Sequence, residues 1–381
     1  MIDYKEVIEK YKTPLYVFNI DELVRRTNYL KNEFNAGIVY AVKANTFIPK
    51  GLENEVDRFE ICSNGEFEIC NKLNISHDKM VISGVYKDLP SIENMISNYD
   101  IGKYTIESLQ QFELLESLSK KYNKKVHVLI RLTSNNQFGV SEEDFRYILE
   151  NKKEIIIDGI EYFSGTQKTS MKKINREIDH LNEFIESIEN EYNIGIKEIE
   201  YGPGFSIQYF QNEEFDEGEY FNELKEALDK LRHKKLFLEA GRSIAASCGT
   251  YFTKVVDMKS NKNGNHVILD GGINHLVYYG QTMAMRLPFF DIYPKKDTEK
   301  EVYNLYGSLC TVNDVIIKNV ETQKLEIGDT FIFKNVGAYS STEGISLFLS
   351  RDLPGVVLYK NKEFIKVRDN LKTSDINYPN Y

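Results

Sequence analysis

The run Gly37-Ile38-Val39-Tyr40-Ala41-Val42-Lys43 is apolar until its last residue, and Ala44-Asn45-Thr46-Phe47-Ile48-Pro49 follows with the punctuation of a loop. Such a run reads as a buried strand, 37–43, that delivers one amine at its end. Partial desolvation there disfavours the ammonium and leaves more free amine, the form that attacks a carbonyl to make a Schiff base. Two further stretches could grip an anion. Tyr201-Gly202-Pro203-Gly204 has glycines that let backbone N–H groups approach closely, and Leu238-Glu239-Ala240-Gly241-Arg242 adds a guanidinium, the preferred partner of phosphate. Each alone is an ordinary strand end or turn, but on consecutive strands they reinforce one another.

The elements that must position these residues recur along the chain. Apolar runs at 37–43, 58–62, 79–83, 102–106, 126–132, 156–163, 197–201 and 235–239 predict eight strands. Between them lie polar segments with apolar residues at helical spacing: 21–34, 65–73, 88–97, 108–121, 141–151, 172–192 and 217–232. Strand alternating with helix implies parallel strands, and eight such units favour a closed (β/α)8 barrel, whose C-terminal strand ends build the site. Lys43, Arg131, Gly202 and Glu239 all fall at such ends. After residue 248 the chain turns to short β-rich runs separated by Asn263-Gly264, Gly271-Gly272 and Gly328-Asp329, which predicts a separate all-β domain at 249–381. The segment 1–20, with the strand-like Leu15-Tyr16-Val17-Phe18, is expected to join it, leaving 21–248 for the barrel; the polar tail from Ser374 is expected to fray.

Composition narrows the partners. Lys plus Arg is 48 against 58 Asp plus Glu, a net charge of −10, and no arginine-rich face compensates, which argues against nucleic acid. The N-terminal residues lack the pattern of a signal peptide and no apolar run reaches membrane-spanning length, so a soluble cytoplasmic protein is expected. Cys62, Cys70, Cys248 and Cys310 are scattered and read as free thiols. His77, His127, His180, His233, His266 and His275 do not cluster either, and no metal site is predicted.

The order of the motifs is specific. Tyr40-Ala41-Val42-Lys43-Ala44-Asn45 is followed by Glu60-Ile61-Cys62-Ser63-Asn64-Gly65-Glu66, Gln137-Phe138-Gly139, Phe163-Ser164-Gly165-Thr166-Gln167, Gly202-Pro203-Gly204 and Glu239-Ala240-Gly241-Arg242. Gly307-Ser308-Leu309-Cys310 with Asp314, and Gly337-Ala338-Tyr339, complete the series. Over nearly its whole length the chain resembles the pyridoxal-phosphate-dependent decarboxylases of the alanine-racemase-like barrel class, which include diaminopimelate and ornithine decarboxylases. The resemblance implies that Lys43 holds pyridoxal 5′-phosphate as a Schiff base, and that Gly202, Gly204, Gly241, Arg242 and Tyr339 surround its phosphate. Arg131 would lie near the ring and Phe163 on its face, where the family often has histidine. Glu239 would keep the ring nitrogen protonated, which makes the ring an electron sink. A racemase of this fold places an arginine there, so Glu239 favours decarboxylation. Cys310 matches the cysteine that reaches a partner subunit's site and protonates the product carbon, which implies a homodimer with shared sites.

Two departures concern the substrate. Enzymes holding a free diamino acid carry an acidic residue after the cysteine, because a desolvated ammonium needs a charge partner; here it is Thr311. The arginine that grips a distal carboxylate in diaminopimelate enzymes aligns with Tyr278. The segment Gly272 to Gln281 resembles a sub-branch of natural-product and siderophore assembly that acts on modified or carrier-tethered aminoacyl groups. The expected activity is therefore α-decarboxylation of an amino acid whose distal end is not a free ammonium, a modified or carrier-protein-tethered aminoacyl group, with Tyr278, Gln281, Arg286, Thr311, Asp314 and His275 as candidate substrate contacts. The alternatives are a diaminopimelate, lysine or ornithine decarboxylase, an amino-acid racemase, and a non-catalytic pyridoxal-phosphate-binding protein.

Overall fold

A computed structural model of the chain describes residues 2–231 and 234–379; His233 and the last two residues of the tail lie outside the described residues. The chain opens with α1 (Tyr4–Lys10), β1 (Leu15–Asn19) and α2 (Ile20–Phe34). The strands β2 (Gly37–Ala41), β3 (Arg58–Ile61), β4 (Met80–Ile82), β5 (Lys103–Ile106), β6 (His127–Arg131), β7 (Ile156–Phe163), β8 (Glu198–Gly202) and β9 (Lys235–Ala240) follow. They close into a parallel barrel in that order, with β9 paired to β2. The intervening helices are α3 (Pro49–Leu52), α4 (Asn64–Lys72), α5 (Leu89–Asn98), α6 (Leu109–Tyr122), α7 (Glu142–Asn151), α8 (Met171–Tyr192) and α9 (Glu217–Asp229). The turn α10 (Arg242–Ala245) follows β9. The eight-stranded barrel is thus the one expected.

Local chemistry explains where the helices begin. Ser63, Asp88, Ser108, Ser141 and Asp216 each turn a side-chain oxygen onto the backbone N–H three residues on, satisfying a donor that the first turn leaves open. At the other end of α6 and of α8, Asn123 and Asn193 take left-handed conformations, which stop the helix before the next strand.

Contacts divide the chain into two compact units. The barrel unit comprises Arg26–Ile207 and Asp216–Ser243. The other takes the residues through Arg25, Gln208–Phe215 and everything from Ile244. It contains β10 (Gly249–Asn261), β11 (Gly264–Leu269), β12 (Phe290–Tyr293), β13 (Lys300–Tyr306), β14 (Val315–Gln323), β15 (Thr330–Lys334), β16 (Gly355–Lys360) and β17 (Glu363–Arg368). With β1 they form a nine-stranded sheet in which β1 lies between β10, antiparallel, and β16, parallel. Val7, Leu15, Val17, Phe252, Ile332 and Val357 make one of its apolar clusters, so the first residues of the chain are part of this core. The tail is not frayed throughout: Ser374–Asn377 is helical and buried Thr373 donates to the Arg351 carbonyl. Among the described residues, no helix is long and apolar enough to cross a membrane.

Candidate active site

Lys43 does not end a strand as expected. β2 stops at Ala41, and Lys43 sits in the middle of a 3-10 turn, Val42–Ala44. The turn aims the amine across the end of the barrel, where Nζ lies 3.0 Å from Glu60 Oε2, 3.7 Å from Glu239 Oε1 and 3.6 Å from Cys62 Sγ. Its side chain is 36% exposed against 2% for Glu60. The amine is thus partly exposed and held by two buried acidic side chains, which offsets the desolvation expected from the sequence.

Strand register assembles the rest. Val39 of β2 pairs with Glu239 of β9, Ala41 with Glu60 of β3, Arg131 of β6 with Glu161 of β7, and Phe163 with Gly202 of β8. Glu60, Glu161 and Glu239 are buried, and one oxygen from each lies within 4.8 Å of the others. A cation could bridge such a trio, and Lys43 already pairs with two of its members. Burial pushes the Glu239 carboxyl well above the usual range, the Glu60 charge adding to it against the opposing pull of Lys43. Glu60 is the ionised neighbour: burial would raise it, but Lys43, a hydrogen bond with Glu239, and Arg131 bring it below its ordinary value. Arg131 is buried between Glu107 (3.1 Å) and Glu161 (3.4 Å), with its guanidinium over Phe138 and 6.0 Å from the Phe163 ring centroid. The Lys43 amine is also 6.0 Å from that centroid.

The expected anion grip has a steric reason for its glycines. Gly204 has φ +64°, and a Cβ there would lie 2.1 Å from the Gly165 carbonyl oxygen. At Gly202 it would meet the Phe163 ring at 2.2 Å. Gly241 packs against Ala41 and Ala44 beside the lysine turn, and Arg242 Nε donates to Thr166 Oγ1 at 3.2 Å. Under the loop, the buried Lys168 ammonium bonds Glu177 and Ser164 while its backbone N–H donates to the Gly204 carbonyl.

In the β unit, Cys310 is exposed. The turn that carries it is clamped by Asp314, whose buried carboxylate accepts from the N–H groups of Leu309 (2.7 Å) and Ile273 (2.9 Å). Thr311 is half-buried and Tyr339 has φ +65°. Tyr278 is buried, with its hydroxyl committed to the Lys334 carbonyl and its ring against Tyr209 and Phe210. Gln281 bonds both backbone groups of Arg286, and Arg286 pairs with Glu213. His275 is buried between Tyr251 and Asn274. Tyr278, Gln281, Arg286, Asp314 and His275 thus spend polar groups holding this unit, which leaves Thr311 and Cys310 as the more available side chains.

The sequence reading missed Glu60, Glu107 and Glu161. A signal existed: Phe59-Glu60-Ile61, Ile160-Glu161-Tyr162, Ile199-Glu200-Tyr201 and Leu238-Glu239-Ala240 each set a glutamate between apolar residues of a strand, which places the carboxyl inside the barrel.

Known proteins match along the whole chain. Residues 20–246 match the family model "Pyridoxal-dependent decarboxylase, pyridoxal binding domain". An L-glutamyl-(BtrI acyl-carrier protein) decarboxylase of Niallia circulans is 25% identical over 97% of this chain and 94% of its own length. The diaminopimelate decarboxylase of Methanocaldococcus jannaschii is 25% identical over 98% and 92%. Among solved structures, diaminopimelate decarboxylase from Helicobacter pylori shares the fold with a TM-score of 0.86 at 23% identity, covering 98% of each chain. Since the family model spans more than half of its residues, the chain belongs to the pyridoxal-dependent decarboxylases, enzymes that work with pyridoxal 5′-phosphate.

Proposed function

We propose that this enzyme removes CO₂ from the α-carbon of an amino acid or aminoacyl group whose far end is not a free ammonium. Pyridoxal 5′-phosphate fits the residues present: an amine open to ligand at Lys43, a buried carboxyl at Glu239 whose burial raises its hold on a proton, and a loop whose glycine backbone leaves no room for a Cβ. When bound, the cofactor supplies an aldehyde for an amine and a ring that accepts the electron pair left by CO₂. Lys43 would hold it covalently and yield to a substrate amine. Gly202, Gly204, Gly241 and Arg242 would hold the phosphate, and Phe163 would pack on the ring face. The Glu239 carboxyl would face the ring nitrogen and keep a proton between them. Arg131, braced by two glutamates, is a fixed positive charge at the same end of the barrel. Cys310, exposed on its turn, would carry a proton to the product carbon in the site of a second copy, in a cytoplasmic homodimer.

One observation carries the substrate reading: Thr311, beside Cys310, offers no charge to a distal ammonium. The glutamyl-carrier decarboxylase among the relatives is in keeping with it. The names of the diaminopimelate relatives favour a second reading, a free diamino acid. Mass spectrometry of the protein incubated with free and carrier-bound aminoacyl compounds separates them. Loss of CO₂ from a carrier-bound or distally modified amino acid, with free meso-diaminopimelate, lysine and ornithine left intact, is the expected result. Turnover of any of those three at ordinary enzymatic rates overturns the proposal.

A further inference from the structure

The floor of the site holds more carboxyls than cations. Lys43 and Arg131 reach it, against Glu60, Glu107, Glu161 and Glu239. The hydrogen-bonded ion pairs go to Glu60, 3.0 Å from Lys43, and to Glu107, 3.1 Å from Arg131. Lys87, the next nearest ammonium, spends its donors on the Gly84 carbonyl, Thr105 and Gln111. Glu161 is 1% exposed and neither of its oxygens accepts a hydrogen bond; its nearest cation is Arg131 Nε at 3.4 Å, shared with Glu107. Around it stand Arg131 from β6, Glu200 from β8, Glu60 from β3 and Glu239 from β9, with Glu107 and Lys87 from the loops after β5 and β4; Lys43 faces it through Glu60 and Glu239.

We propose that Glu161 is a positioning residue for Glu239: it stores a proton in the barrel floor beside Glu60 and Glu239 and so leaves Glu239 as the carboxyl that would answer the cofactor's ring nitrogen. The pairing favours it, since Lys87 is hydrogen-bonded elsewhere and neither Glu161 oxygen accepts a hydrogen bond. A protonated ring nitrogen facing Glu239 gives that carboxyl a cation of its own, while Glu161 still has only a share in Arg131. An ionised Glu161 would stand within 4.8 Å of both Glu60 and Glu239 as a third like charge in a dry interior. Burial first, then the charges of Glu60, Glu200 and Glu107, favour its neutral form over the opposing pull of Arg131. In alkali it loses the proton, and the new negative charge tightens the hold on protons at Glu239 and at the ring nitrogen. Glu161→Gln keeps the shape and the neutral state but cannot ionise.

The proposal rests on the pyridoxal reading of the site, and its test separates the two. Infrared difference spectra of the full-length chain, with and without pyridoxal 5′-phosphate, are recorded between neutral pH and roughly pH 9, beyond the normal range of any carboxyl. Wild type is expected to lose buried carboxylic-acid C=O absorbance as pH rises, and Glu161→Gln to lack one component of that change. In the cofactor-loaded protein, the visible band of wild type should shift over the same range, and in Glu161→Gln this alkaline step should vanish while it survives in Glu161→Asp. Identical infrared changes, or superimposable visible titrations, in wild type and Glu161→Gln overturn the proposal. If Glu161→Gln does not fold, Glu161→Asp decides: a carboxylic-acid component whose frequency or midpoint differs from wild type supports the proposal, and an infrared titration identical to wild type overturns it. A wild type with no visible chromophore but with the infrared step counts against the pyridoxal reading and leaves the stored proton standing.

Discussion

At the scale of single residues, the chemistry rests on an amine held next to acids. Lys43 lies against Glu60 and Glu239, and the separation of roles follows from their surroundings: Glu60 takes the ammonium and stays ionised, which helps Glu239 keep its proton. Lys43→Ala should abolish turnover and leave no cofactor attached to the protein after borohydride reduction, read by intact mass; a retained covalent adduct would place the linkage elsewhere. Cys310→Ala should slow turnover roughly 10²- to 10⁴-fold, the ordinary worth of a positioned proton donor, with the cofactor absorbance unchanged. Steady-state rates at equal cofactor loading check this. Lys43 and Glu239 were legible in the sequence because a lysine or glutamate that closes an apolar run stands out against it. Glu161 was not singled out, since an acid inside a strand acquires meaning only when the opposite wall of the barrel brings two more to it.

At the scale of elements, the site depends on turns that few residues can make. Gly204→Ala adds a Cβ 2.1 Å from the Gly165 carbonyl at φ +64°, so the loop must move. Cofactor affinity, measured by titrating the stripped protein with pyridoxal 5′-phosphate, should fall at least tenfold while the far-ultraviolet circular dichroism stays unchanged. An ordinary helix start gives the contrast. Ser108 caps α6 through the Gln111 N–H, and Ser108→Ala should cost about 1 kcal/mol in denaturant unfolding without altering cofactor affinity. Strand and helix positions were readable because spacing and capping are local properties. The lysine turn was not: Val42-Lys43-Ala44 continues an apolar run in sequence, and only closure of the barrel between β9 and β3 ends the strand at Ala41.

At the scale of the molecule, a barrel lined with acids should make stability depend on pH. Burial raises the Glu200 carboxyl to about 7, with the Glu60 and Glu198 charges adding to it and Arg58 opposing. The folded chain therefore keeps a proton that the unfolded chain releases near the normal glutamate value of about 4.3. The Glu200 contribution to stability must fall as pH rises through that window and level off above about 7. Melting temperatures at about pH 5 and pH 8 should show a smaller drop in Glu200→Gln than in wild type; an equal drop would assign the effect to other groups.

The sequence by itself determined the alternation of strand and helix, the lysine that closes an apolar run, the glycine loops and the family, since each is written in spacing and residue type along one stretch of chain. Tertiary structure decided which charges meet. It set Glu60, Glu161 and Glu239 within 4.8 Å of one another, clamped the Cys310 turn with Asp314, and gave Tyr278 a carbonyl to bond. Those outcomes depend on register across a closed barrel and on strand pairing far apart in sequence, and no local pattern encodes the distance between two walls.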